Sequence, residues 1–180
     1  MELLLSEEEI QKRVKDLALE ISKDYKGVSP VLIGILRGSF VFLSDLIRHL
    51  TILPEIDFMS VSSYNTLTKS SGVVRILKDL ERDIGGENVI VVEDIVDTGL
   101  TLTYISRLLM ARLPRSLKIC ALLDKRERRE VDIQIDYVGF VIPNKFVIGY
   151  GLDLAEKYRN LPYVATLEES EIGEPEENTP

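Results

Sequence analysis

Apolar residues recur along the first third of the chain with two distinct periods. Ile10, Val14, Leu17 and Ile21 stand at intervals of four, three and four, the spacing of one stripe along a helix. Ser6-Glu7-Glu8-Glu9 precedes them as a capping-box sequence, with Ser6 as N-cap and Glu9 at the third helical position. The helix should stop before Gly27. Pro30 then introduces an unbroken apolar run, Val31–Leu36, that reads as a buried strand. A helix is expected over about Ser39–Leu50 and a strand over about Glu55–Val61. Residues 62–72 are too many, and too rich in Ser, Thr and Asn, for a tight turn. With Val73–Leu77 as a returning strand, they predict a long hairpin arm or lid over about 62–73.

Beyond Gly85-Gly86 the two periods alternate. A strand over Val89–Val92 is followed by a helix over about Thr101–Arg112 that ends before Pro114, then by a strand over Leu117–Leu123. Tyr137–Val141 and Lys145–Tyr150 are further strands. A short helical piece over Leu154–Tyr158 and a last strand, Tyr163–Leu167, complete the pattern. Strands alternating with helices predict an α/β fold, a mainly parallel twisted sheet with helices on both faces. No repeat or linker interrupts residues 1–167, which predict a single domain.

Composition narrows the function classes. The net charge of −8 is concentrated in residues 168–180, which hold six glutamates and no Lys or Arg. Without that tail, expected to be disordered and solvating, the body carries about −2. A near-neutral body argues against a protein whose main work is holding nucleic acid. The start, Met1-Glu2-Leu3-Leu4-Leu5-Ser6-Glu7, lacks the basic and long apolar regions of a signal peptide, and no apolar stretch approaches membrane-spanning length. The single cysteine, Cys120, lies in an apolar strand and is expected as a buried core residue, which suits a reducing cytoplasm. His49 is the only histidine and is expected to end a helix, near its carbonyls. Mechanisms that need a reactive histidine thus lack their parts, and acid–base work falls to carboxylates.

The most informative stretch is Val89-Ile90-Val91-Val92-Glu93-Asp94-Ile95-Val96-Asp97-Thr98-Gly99-Leu100-Thr101-Leu102. A buried strand ends in two adjacent carboxylates, a third follows, and small hydroxyl residues with a glycine lead into a helix. Ligands of open α/β sheets bind beyond the carboxyl ends of strands, and the amides that open a helix favour anions. Thr98 and Thr101 add O–H donors to such a cradle, while the acidic residues suit a ribose or a metal ion. The stretch reads as a phosphorylated-sugar site. Leu36-Arg37-Gly38-Ser39 repeats the geometry after an earlier strand, with an arginine for phosphate charge and a glycine for close approach.

The fourteen-residue stretch closely resembles the phosphoribosyl-pyrophosphate (PRPP) signature of type I phosphoribosyltransferases. Its variant Val-Glu-Asp-Ile-Val-Asp-Thr-Gly resembles the hypoxanthine-guanine branch. The resemblance extends in ordered blocks over about residues 6–167 and implies the fold of that family, including a small hood or lid. It implies that Glu93, Asp94, Ile95, Val96, Asp97, Thr98, Gly99, Leu100 and Thr101 bind PRPP. Leu36, Arg37, Gly38 and Arg159 would bind pyrophosphate, with a non-proline cis peptide in the first loop. Lys125 would face the exocyclic oxygen of a 6-oxopurine, with Phe146 stacking on the ring, Val147 offering backbone groups and Asp153 in the same pocket. Mg²⁺ would be held by Asp153 on one side and by Glu93 and Asp94 on the other. Ser63-Tyr64 matches the mobile-loop pair of the family, and Asp97 would serve as general base. The implied reaction joins PRPP to hypoxanthine or guanine in a homodimer or homotetramer, with the apolar N-terminal helix as a candidate contact.

Without the resemblance, Phe146 and Val147 read as core strand residues and Asp153 as a helix N-cap. Asp124-Lys125-Arg126-Glu127-Arg128-Arg129-Glu130 reads as a solvated charge run, and Arg126, Arg128 and Arg129 are expected at the surface. Adjacent strand residues point to opposite faces, so Glu93 and Asp94 can act together only if the strand has given way to loop. Two alternatives share the fold: a PRPP- or nucleotide-sensing regulator, and a xanthine-guanine phosphoribosyltransferase. The regulator should lose the base-binding segment and show a basic face.

Overall fold

The computed structural model describes residues 1–63 and 74–168. Tyr64, nearly all of the expected lid and the acidic tail from residue 169 onward lie outside the described residues. The chain opens on a short strand, β1 (Glu2–Leu5), and then α1 (Glu7–Asp24). The capping box forms as the sequence predicts. Glu9 N donates to Ser6 Oγ at 3.3 Å, and Ser6 N donates to Glu9 Oε2 at 2.8 Å. The stripe Ile10, Val14, Leu17 and Ile21 is completely buried within the chain, so it is not free to act as a contact between copies.

Next come β2 (Val31–Leu36), α2 (Ser39–His49), β3 (Glu55–Ser63), β4 (Val74–Lys78), β5 (Asn88–Val96), α3 (Leu100–Met110), β6 (Ser116–Asp124) and β7 (Tyr137–Val141). Six strands form one sheet in the order β4-β3-β2-β5-β6-β7, parallel throughout except for β4 at one edge. Side chains alternate across it. Leu32, Ile90, Val92, Cys120 and Leu122 pack on one face with α1 and α2. Val31, Ile33, Val89, Val91, Ile119 and Ala121 pack on the other with Leu102, Ile105 and Leu109 of α3. Such double burial is why the strands read as continuous apolar runs. At the β7 edge the Arg13 guanidinium donates to the carbonyls of Val138 and Gly139, blunting the row of free edge groups.

A second sheet, β1-β9-β8, is antiparallel and joins the two ends of the described chain: β8 (Phe146–Ile148) and β9 (Val164–Leu167) meet β1, with Glu2 opposite Thr166. This is the small hood. Its strand β1 is not anticipated in the sequence, because four residues are too few to show a period.

Two expectations are corrected. Residues 154–158 form no helix. Ala155, Glu156 and Tyr158 adopt φ values of 50°, 65° and 75°, and Leu154 and Lys157 exchange backbone hydrogen bonds across a tight turn. In addition, β5 runs to Val96, so Glu93 and Asp94 lie within the strand. Pairing with β2 ends at Val92, whereas pairing with β6 continues through Glu93, Ile95 and Val96. One edge of β5 is therefore free beside the two carboxylates, which lets both reach one cleft without the strand dissolving into loop.

Burial of the α1 stripe makes a stability prediction. Leu17→Ala should cost about 2–5 kcal/mol in urea-induced unfolding, through lost transfer energy and the cavity left behind. The residue lies on the helix layer behind the sheet, so turnover of the surviving folded fraction should be unchanged.

Candidate active site

A cleft of about 370 Å³ opens at the carboxyl ends of β2 and β5. One wall is the β2–α2 loop, Leu36, Arg37 and Gly38; the floor is Glu93 and Asp94, with Thr101 beside them; the far wall is Asp153, Glu156 and Arg159. Three segments are stacked too closely there for any side chain. A methyl group on Gly38 would lie 1.6 Å from Asp94 Oδ2, and one on Gly151 would lie 2.1 Å from the Gly38 carbonyl oxygen. Gly151 also has a φ of 97°, in the left-handed region that glycine tolerates. The Leu36–Arg37 peptide bond is cis, as the resemblance implies. Ser39 Oγ donates to Ile35 O at 2.6 Å and closes the loop onto its strand.

Beyond Val96 the chain turns through Asp97, Thr98 and Gly99 into α3. Gly99 has a φ of 85°, and its carbonyl accepts the first helical bond from Thr103 N at 2.9 Å. The loop leans on the segment after β6. Lys125 N donates to Val96 O, and Glu130 N to Thr98 O. That segment is only partly the solvated run its composition suggests: Arg126, Glu127, Arg128 and Glu130 are exposed, but its first two residues are not. Asp124 is only 3% exposed and is paired with both Arg126 and Arg129. A buried carboxylate needs such cations, and this draws Arg129 inward against Gly99. Arg128 Nε lies 2.9 Å from Asp97 Oδ1. The expectation that these arginines lie at the surface holds for Arg126 and Arg128, the latter paired with Asp97, and is corrected for Arg129, whose side chain is only 16% exposed. The available signal was an aspartate ending an apolar strand with arginines two and five residues on. Lys125 is buried, and burial pulls its ammonium down in pKa while the Asp97 carboxylate opposes that pull.

On the hood side, Val147 is buried in β8, whereas Phe146 keeps 37% of its surface exposed. Neither lines the cleft itself. Asp153 does, and it caps a turn instead of a helix: its Oδ2 accepts from Glu156 N at 2.8 Å, and its Oδ1 lies 3.0 Å from Arg159 Nη2. Arg159 Nη1 donates to Gly151 O at 2.8 Å, so this cation is fixed on two sides. Glu156 is a cleft residue that sequence reasoning missed, because nothing in a predicted helix there suggested that it turns inward.

Residues 2–155 match the model of the phosphoribosyl transferase domain. The chain belongs to the phosphoribosyl transferase family. It is 50% identical over 165 residues to a hypoxanthine-guanine phosphoribosyltransferase of Bacillus subtilis, covering 92% of each chain. A hypoxanthine phosphoribosyltransferase of Salmonella typhimurium is 49% identical over 166 residues, with 91% of this chain and 93% of that one covered. Among solved structures, a hypoxanthine-guanine phosphoribosyltransferase of Bacillus anthracis superposes with a TM-score of 0.90 at 52% identity, covering 93% of this chain and 99% of that one. The fold of this phosphoribosyl transferase is accordingly the one its PRPP-like signature implies.

The floor of the cleft is electrostatically unfinished. Burial, reinforced by neighbouring Asp94, raises the Glu93 carboxyl well above its ordinary pKa, and Glu93 Oε2 is enclosed without a hydrogen-bonding partner. Burial likewise pushes Asp94 up to about 6, against the bond from Ile95 N and the attraction of Arg159. A divalent cation would relieve both carboxylates. Among the described residues no three acidic or other ligating side chains converge into a metal cage. That donor set still fits Mg²⁺, which keeps several waters and binds through one or two carboxylates plus substrate oxygens.

The raised Asp94 pKa fixes the sign of a pH effect. A carboxyl group whose pKa rises on folding binds its proton more tightly in the folded state, so ionising it costs stability as pH climbs from about 4 to above 6. Asp94→Asn should therefore stabilise the protein at pH 7, by an amount of order 1–3 kcal/mol. The gain should vanish by pH 4, as thermal unfolding across that range would show. A gain that persists at pH 4 would assign the effect to packing instead.

Proposed function

We propose that this phosphoribosyl transferase transfers the 5-phosphoribosyl group of PRPP to N9 of hypoxanthine or guanine, a purine-salvage reaction. The products are the nucleoside monophosphate and pyrophosphate. The observation that carries the reading is the meeting, in one cleft, of the Leu36–Gly38 loop and Arg159 with the Glu93–Asp94 pair. Cations suit the leaving pyrophosphate and carboxylates suit the sugar. The names of relatives half identical over nine-tenths of the chain support the choice of base.

Displacement at C1′ passes through an oxocarbenium-like state, with positive charge on the sugar and negative charge on the departing group. The amides and hydroxyls of Thr98–Thr101 hold the 5′-phosphate at the opening of α3. Glu93 and Asp94 face the ribose hydroxyls, where their charge favours the developing cation. Arg37, the amide groups around Gly38 and Arg159 receive the pyrophosphate. Asp153, Glu93 and Asp94 are the residues that would hold Mg²⁺, which supplies charge neutralisation of the leaving pyrophosphate. Lys125 donates to the 6-oxo group and opposes a 6-amino group, which selects against adenine. Phe146 offers its exposed ring for stacking, and the Val147 backbone meets the purine edge. Asp97 takes the proton from N7 as N9 bonds to carbon.

The Ser63-Tyr64 lid belongs to this reading as the shield that keeps water from the sugar cation. So do assembly as a homodimer or homotetramer and residence in a reducing cytoplasm. The buried Cys120 thiol, pushed up in pKa by desolvation, is not a reactive group. Among the described residues no helix is long and apolar enough to cross a membrane.

Pyrophosphate release should be measured from PRPP and Mg²⁺ with hypoxanthine, guanine, xanthine and adenine offered separately. Turnover is expected with hypoxanthine or guanine, none with adenine, and none after the metal is chelated. Silence with all four bases despite measurable PRPP binding would replace the enzyme with the regulator. Asp97→Asn should keep the fold and lower the chemical step by roughly ten- to a thousandfold or more, as the loss of a proton acceptor does. Single-turnover rates identical to wild type would remove Asp97 from that role.

A further inference from the structure

The proposed reaction leaves one carboxylate of the cleft without a task. Glu156 stands on the tight turn after Asp153, at a φ of 65°, and lines the same cleft as the acid pair. Its Oε2 lies 2.5 Å from Arg37 Nη1 and 3.3 Å from Arg159 Nη2. One oxygen thus bridges guanidiniums that arrive from opposite walls, one from the β2–α2 loop and one from the hood side. These are the two cations assigned above to the pyrophosphate.

The backbone and the side chain of Glu156 are held very differently. Its N–H is tied to Asp153 Oδ2, which fixes the turn, while its side chain remains 63% exposed and free to swing away. Arg159 keeps its place without Glu156, because Gly151 O and Asp153 already hold it. Arg37, by contrast, is 69% exposed, and its only ion pair among the described residues is with Glu156.

We propose that Glu156 is a built-in stand-in for the pyrophosphate group. Its carboxylate gathers Arg37 and Arg159 while the cleft carries no PRPP, and gives way to phosphate oxygens when PRPP or pyrophosphate enters. The inference rests on reading the cleft as a pyrophosphate site. Any anion that takes these arginines must first displace the carboxylate and then tolerate its charge nearby, so Glu156 weakens pyrophosphate binding and speeds its departure. Pairs this exposed are worth up to about fivefold in a binding constant. Pre-gathering of Arg37 acts in the other direction, but Arg159 gains nothing from it, so the competition dominates.

The test is Glu156→Gln, which keeps the length of an exposed side chain and removes its charge. Titration calorimetry with pyrophosphate and Mg²⁺ should show binding about three- to fivefold tighter than wild type, with a lower KM for PRPP and an unchanged KM for the purine. The ratio between variant and wild type should shrink towards one as salt is raised, because charge between exposed groups is screened. A purely structural residue would move the melting temperature and leave that ratio at one. Unchanged pyrophosphate affinity overturns the proposal. Weaker affinity also overturns it, since Glu156 would then organise the arginines for the ligand. If the wild-type protein neither binds pyrophosphate nor releases it from PRPP, the failure belongs to the reading of the cleft. If it does both and the ratio stays at one, only the role of Glu156 fails.

Discussion

Two adjacent carboxylates at the end of β5, enclosed at the bottom of a cleft, are the constraint around which the surrounding segments are arranged. Burial makes the charged form of each carboxylate unfavourable, so both pKa values rise, with Asp94 adding to the rise of Glu93 and Asp153 to that of Asp94. The chain could relieve that cost by letting β2 continue alongside and by filling the cleft. Instead β2 leaves the ladder at Gly34, and its following loop brings only glycine against Asp94. The opening that results is ionic and polar, with cations supplied from loops on either side. In the proposed function, PRPP with a metal ion is the chemistry that completes it.

Rigidity behind the cleft comes from the core and from a polar link across three elements. Tyr150 Oη donates to Asp45 Oδ2 at 2.7 Å, and Gln11 Nε2 donates to the same oxygen at 2.8 Å. The phenol is pushed up in pKa by burial and by that carboxylate, which keeps it a donor. This joins α1 and α2 to the segment carrying Gly151 and Asp153. The helix that follows the Arg37 loop and the segment that presents Asp153 are thus tied to one another through Asp45.

Much of this was legible in the chain itself, for identifiable reasons. The capping box at Ser6, the apolar stripe of α1 and the runs of β2, β5 and β6 are local signals, and each formed with small errors at the ends. The signature at residues 89–102 was legible because its chemistry is contiguous: strand, acid pair, glycine and threonines follow one another. Features that depend on distant partners were not. Strand β1 exists only because β9 returns to it. Residues 154–158 have the composition of a helix, but their end points are held by Gly151 and Arg159, and three residues are forced into the left-handed region. Arg129 looked solvated because the burial of Asp124, which draws it inward, is invisible in a charge run.

That difference between contiguous and assembled chemistry separates the two halves of the cleft. The half proposed for the sugar and 5′-phosphate is written in one stretch, where backbone amides and carboxylates are placed by the register of β5 and the start of α3. The half proposed for pyrophosphate is assembled from Arg37, Asp153, Glu156 and Arg159, and the close approach of Gly38 to Gly151 helps to put them face to face. Strained turns are tolerated on that side because Arg159 and Asp153 hold them from within. A side built this way can pair its cations with its own carboxylates in the free state and exchange them for a ligand, whereas the buried pair on β5 makes no ion pair among the described residues and leaves Glu93 Oε2 without a hydrogen-bonding partner. The two halves therefore meet a bound ligand with opposite starting points: one already neutralised, the other waiting for charge.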